Sequence, residues 1–201
     1  MKRAFVFTVA VLMLVGTVPA SAYRIIYREQ HYRMFRMHLY QSPALITENI
    51  YRLEQALRSD FANPLYALAV IRNERDWERY RALFTMHLNL MLVEQYLLWG
   101  SKYNKFDAFF FNAPWQRQNL ESLERAEELF EYALIYWDEV KVWSEIAYEL
   151  RWVHLPEVQY WADENHRIET GDLDYEFLIG RHLERLRDVR ARFEAMGPDT
   201  Y

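Results

Sequence analysis

Residues 175–196, YEFLIGRHLERLRDVRARFEAM, decide the fold class, because Tyr175, Ile179, His182, Leu186, Val189, Phe193 and Met196 recur in alternating steps of four and three. That is the period of an α-helix with one apolar seam, which packs along another helix, either within the molecule or on a partner. Its outward positions carry Arg181, Arg185, Arg187, Arg190 and Arg192 beside Glu184, Asp188 and Glu194. Asp172 is placed to cap its start, and Gly197-Pro198 ends it.

The same period extends upstream. Residues 117–150 read as one helix of roughly 50 Å at 1.5 Å per residue. One of its faces holds Leu123, Ala126, Phe130, Ala133, Trp137 and Val140, and another holds Leu129, Tyr132, Tyr136, Trp143 and Leu150. Pro156 opens a shorter segment to about Glu169, after which Gly171 punctuates. Trp77, Tyr80, Phe84, His87, Met91 and Leu98 predict a long helix that Gly100 stops. Asn63-Pro64 predicts a short helix through Ile71, and Ser42-Pro43 the start of a helix with Ile46, Ile50, Leu53 and Leu57 on its face. From Arg24 to Tyr40 two stripes alternate, Ile25, Tyr32, Phe35, Leu39 and Tyr27, His31, Met34, His38, as in a helix buried on two sides. No strand-like alternation of useful length occurs, so the chain is all-α, with antiparallel hairpins stacked as a short solenoid or bundle and a long C-terminal helix.

Residues 101–116 break the pattern. Asn104, Asn112 and Pro114 are loop residues, yet Tyr103, Phe106, Phe109, Phe110, Phe111 and Trp115 crowd the same stretch. Such rings either seal the core or anchor a partner protein, because buried aromatics concentrate binding energy at interfaces. We single out Tyr103, Phe106, Phe110, Phe111 and Trp115 as partner-binding residues, with Arg181, Arg185 and Arg192 on the last helix as a second contact face. A carbohydrate platform is a further use of the same rings.

The first 22 residues have the form of a secretory signal peptide: Lys2 and Arg3, an apolar run from Ala4 to Val15, then Pro19 and Ala20-Ser21-Ala22. Cleavage near Ala22 leaves residues 23–201 as a single exported domain in the periplasm, without stable membrane insertion. The absence of Cys means that burial alone holds it together there. With 24 basic and 29 acidic residues the formal net charge is −5, which argues against nucleic acid or an anionic membrane surface as a partner. Tyr 15, Phe 12 and Trp 7 against Gly 5 and Pro 6 suit long helices with bulky interlocking side chains.

Tyr96-x-x-Trp99-Gly100-x-x-Tyr103 resembles the first helix of a tetratricopeptide repeat (TPR), and Ala126-x-x-x-Phe130-x-x-Ala133-Leu134 resembles its second, with 26 residues from Gly100 to Ala126 where an unbroken repeat leaves about 12. The excess matches an insertion that includes the aromatic segment. Asp60-Phe61-Ala62-Asn63-Pro64-Leu65-Tyr66-Ala67-Leu68 and Phe111-Asn112-Ala113-Pro114-Trp115 resemble segments of small exported helical-repeat proteins of spirochaetes, among them components of the collar around the periplasmic flagellar motor. The resemblance implies a periplasmic scaffold that binds other envelope proteins, and it carries over no catalytic residue.

The residues that do chemistry are sparse in this chain. There is neither His-Glu-x-x-His nor Glu-x-x-His for zinc or a di-iron centre, no Gly-x-Ser-x-Gly, and too little Gly for a phosphate-cradling loop. His31 and His38 are seven apart, where helical metal pairs sit four apart, and His87 and His182 fall within apolar stripes as hydrogen-bonded core residues. We expect no catalytic residue, no metal and no cofactor. The leading expectation is a non-enzymatic interaction adaptor of open stoichiometry. A ligand-binding accessory of a periplasmic transport system is the alternative, and an envelope hydrolase would need carboxylates convergent in a cleft.

Overall fold

A run of nine consecutive buried residues, Ala82 to Leu90, marks the centre of the molecule. A helix covered on every side must be wrapped by others, and so it is here. The computed structural model describes residues 24–104 and 113–200; residues 1–22, expected to be a signal peptide, and Phe106, Phe110 and Phe111 lie outside them. Six α-helices follow in order: α1 (Arg28–Gln41), α2 (Ile46–Arg58), α3 (Glu74–Tyr103), α4 (Gln116–Glu149), α5 (Gln159–Glu169) and α6 (Tyr175–Glu194). No strand occurs among the described residues, and none of their helices is long and apolar enough to cross a membrane.

Helices α3 and α4 form the central antiparallel pair; α2 and α5 pack on α3, α1 on α2, and α6 along α4. The predicted inner face of α4 is buried throughout, from Leu123 to Val140. The seam of α6 is used inside the molecule, with Ile179, Leu186, Val189 and Phe193 buried and Arg190 paired to Glu127 at 2.7 Å. Where α3, α5 and α1 meet, Phe84 stacks on Trp161 at 4.9 Å and Tyr32 stands edge-on to both.

Several helix ends differ from the expectation, each for a local reason. Ser42-Pro43 does not start α2: the Ser42 N–H closes α1 on the His38 carbonyl, Leu45 N–H turns back to Ser42, and the helix begins at Ile46, the first buried side chain. Asn63-Pro64 gives only one 3-10 turn, Pro64–Tyr66, with Asn63 Oδ1 accepting from Leu65 N–H. Beyond it the backbone is held by tertiary bonds instead of a helix. Leu68 N–H donates to Tyr80 Oη, Tyr80 O–H donates to the buried Glu29 carboxylate, and Ala62 N–H donates to the same group at 2.8 Å. Asp174, not Asp172, caps α6, because Gly171 at φ 79° and the Leu173 N–H bond to Arg167 fold the chain back first. Helix α1 is buried on one side only: Tyr32 and Phe35 are covered, whereas Tyr27 is exposed and His31, Met34 and His38 are half-buried.

Gly100 does not stop α3, which runs on to Tyr103. A Cβ at Gly100 would sit 2.5 Å from Phe130 Cε1 on α4, so this position is glycine for closeness of approach. Conformational freedom is not what it provides.

Candidate functional site

A hollow of about 740 Å³ forms a cleft between the first half of α3 and the last half of α4, closed at one side by the end of α2. Its floor and walls are Leu57, Phe61, Ala82, Thr85, Tyr136, Trp143 and Ile146, with Glu78, Arg81, Glu139 and Glu149 around them. Arg28 forms the closed side. Its guanidinium donates to Thr85 Oγ1 at 2.8 Å and to the carbonyls of Leu57 and Ser59 at 2.9 and 3.3 Å, and lies 4.1 Å over the Phe61 ring. Burial lowers the Arg28 pKa and nearby Glu29 and Asp60 oppose that, so the group acts as a charged wedge that ties α1 to α2 and α3.

The opposite wall is fixed by a shared carboxylate. Glu54 Oε1 accepts from the hydroxyls of both Tyr96 and Tyr136, each at 3.1 Å, and the two rings stack at 5.4 Å. Burial, with Glu54 close by, pushes the Tyr136 hydroxyl up to about 12, so it remains a donor at any physiological pH. From this wall an apolar stripe runs along the outside of α4: Tyr132, Ile135, Val142 and Ile146 are 49%, 58%, 53% and 41% exposed. Of the second apolar face read in the sequence, Leu129 is buried, Tyr136, Trp143 and Leu150 are half-buried and Tyr132 is exposed, so that face is only half covered.

A buried polar chain crosses the other side of α3. His87, 3% exposed, places Nδ1 2.7 Å from Glu164 Oε2 and Nε2 2.8 Å from the Tyr32 hydroxyl, which meets the Tyr160 hydroxyl at 3.0 Å. Glu94 accepts from Tyr175 O–H at 3.0 Å, and burial holds its carboxyl above the ordinary glutamate value. Four helices are joined by these bonds, and His87 is the hydrogen-bonded core residue its apolar stripe predicts. His182 is only half-buried, against the Phe130 ring at 5.2 Å. Among the described residues no three His, Asp or Glu side chains are grouped to hold a metal.

None of the described contact residues predicted from the sequence lines the cleft. Tyr103 ends α3, half-buried, its carbonyl accepting from Ser122; Trp115, 46% exposed, precedes α4. Arg192 lies near them, since Gln116 donates to the Phe193 carbonyl at 2.6 Å. Arg181 and Arg185 are exposed further back along α6, and Phe106, Phe110 and Phe111 lie outside the described residues. The antiparallel pair puts Tyr103 and Trp115 at one end and the cleft at the other. Sequence reasoning missed the cleft because its residues come from α2, α3, α4 and the loop around Phe61; the half-used second face of α4 was its visible trace. The cleft does gather three carboxylates, Glu78, Glu139 and Glu149, but all are exposed. A hydrolytic general acid needs a desolvated carboxyl.

Residues 75–196 match the model of a domain of unknown function, DUF8513, which spans α3 to α6, and the chain belongs to that family. No curated protein and no solved structure matches the chain.

Proposed function

We propose that this family member is a non-enzymatic interaction scaffold of the periplasm that holds an amphipathic segment of another envelope protein in the α3–α4 cleft. The observation that carries the reading is the cleft itself, with an apolar floor of Leu57, Phe61, Trp143 and Ile146 that continues into the exposed stripe of α4. Surface of this kind is left uncovered where a partner covers it. Glu78, Glu139 and Glu149 make the rim acidic, while Arg81 is engaged with Glu74 and the Trp77 ring. The segment therefore presents apolar anchors flanked by Lys or Arg. The likeness of residues 60–68 and 111–115 to exported spirochaetal repeat proteins supports a periplasmic partner, with a motor-collar subunit as the specific expectation.

Photo-cross-linking side chains placed at Trp143, at Ile146 and, for comparison, at Trp115 in living cells test this. The expected result is one shared protein at both cleft positions, joined through a segment with basic residues and lost on reversing Glu139 and Glu149 to Lys. Adducts at Trp115 alone, or none at the cleft, would overturn the assignment.

A further inference from the structure

Among the described residues Arg79 is the one buried arginine, at 4% exposure, and it is buried without a counter-charge. Among the described residues its guanidinium makes a single hydrogen bond, from Nη1 to the Leu150 carbonyl, its Nε is shielded from solvent with no partner, and no carboxylate pairs with it. Burial lowers its pKa and no neighbouring acid opposes that. An uncompensated buried charge is among the costliest features a fold can carry, and an anionic group seated beside the guanidinium would offset it.

The surroundings fit one. Arg79 lines a separate hollow of about 370 Å³ between α3, α5 and the loop that follows α4. Arg151, His154 and His166 stand around it, and all three are exposed. Arg151 is steadied by lying 4.7 Å over the Tyr148 ring. Asp163 is the single acid in the lining, and the Gln159 amide already donates to it at 2.9 Å. In a chain of net charge −5 this is a local reversal of sign. The volume suits a small metabolite and is too small for a polypeptide segment.

We infer that this hollow is an oxyanion site, in which the phosphate or carboxylate of a small acidic ligand reaches Arg79 at the floor, with Arg151, His154 and His166 at the mouth. The site is independent of the scaffold cleft, shares no residue of its floor, and stands whether or not that reading does. A fork of guanidinium N–H groups recognises either oxyanion, so the probe decides between them.

Thermal melts and calorimetry of the purified exported chain at constant ionic strength, with millimolar inorganic phosphate, succinate or chloride, give the test. One of the two oxyanions should raise the melting temperature, as a ligand of the native state must, while chloride should not. Arg79→Met should abolish that rise and itself melt higher than the wild type without ligand, since Met fills the space without the unpaired charge. A purely structural arginine would give the opposite, a lower melt. The paired rim change Arg151→Gln with His166→Gln should keep the fold and weaken binding by about tenfold or more. The inference is overturned if neither oxyanion shifts the melt, or if Arg79→Met binds as the wild type does. Should that variant not fold, an undiminished affinity in the rim variant overturns it instead.

Discussion

Replacing Gly100 by Ala tests the packing of the central helix pair directly. The added Cβ would lie 2.5, 2.8 and 3.2 Å from Cε1, Cδ1 and Cζ of Phe130, against an ordinary carbon contact of about 3.5–4.0 Å. The ring must retreat by about an ångström. It is fully buried, and the His182 ring of α6 packs against it at 5.2 Å, so the displacement is felt in α6. Overpacking of this kind costs about 1–3 kcal/mol, and the helix propensity of Ala over Gly returns about 1 kcal/mol. The net expectation is a loss of about 1 kcal/mol, read in urea unfolding by circular dichroism as a lower midpoint at unchanged slope. Gly180→Ala on α6 supplies the control: nothing lies within 4 Å of its Cβ, so the same exchange should stabilise by about 1 kcal/mol. Adding Phe130→Leu to Gly100→Ala should cost less than the two single losses combined, a coupling of about 1 kcal/mol. If Gly100→Ala proves as stabilising as Gly180→Ala, the helices do not approach each other as described.

Three further outcomes follow from buried polar groups. Asn49 is fully buried and neither its Oδ1 nor its Nδ2 has a partner, so Asn49→Leu should raise stability by about 1–2 kcal/mol in a thermal melt; a decrease would reveal an unseen bond. Glu29→Ala removes the acceptor of Ala62 N–H and Tyr80 O–H and should cost about 2–4 kcal/mol, with hydrogen exchange at the Ala62 amide accelerating first. Glu94 holds its proton more tightly in the folded state than in the unfolded chain. Its contribution is therefore complete at pH below the unfolded value and is lost as pH rises through the folded one. Glu94→Gln, which still accepts from Tyr175, should be more stable than the wild type at neutral pH, with a gap that narrows on acidification, and a constant gap would refute the assignment.

What could be read in the sequence was what periodicity encodes. The inner face of α4 came from spacing alone, because every member is apolar and each contact recurs once per turn; the seam of α6 did so through Ile179, Leu186, Val189 and Phe193, with His182 its one polar and half-buried member. The caps were less legible, since Ser42, Asp172 and Gly100 are each consumed by a neighbouring turn or by packing that only the tertiary structure sets. The central position of α3 was concealed by Thr85, Asn89 and Gln95, polar residues that look solvated and are buried, as His87 is too. Thr85 and His87 meet partners on other helices, and Asn89 donates to the Thr85 carbonyl within its own. Arg79 was unreadable for the same reason: a charge near the start of a long helix is ordinarily a surface group. Tyr103 and Trp115 drew attention to one end of the helix pair, while the cleft and the Arg79 hollow lie toward the other.

The sheathing of α3 also limits how this architecture can vary. A stack of modules can gain or lose a unit at either end, because each unit touches only its neighbours. Here an axle runs through the whole body, and removing any one of its coverings strips it: without the first hairpin Tyr32 no longer covers His87 and Phe84, and without α5 Trp161 is gone. The molecule should therefore melt as one cooperative block, and its lineage should diversify by changing rims and loops while the number of helices stays fixed.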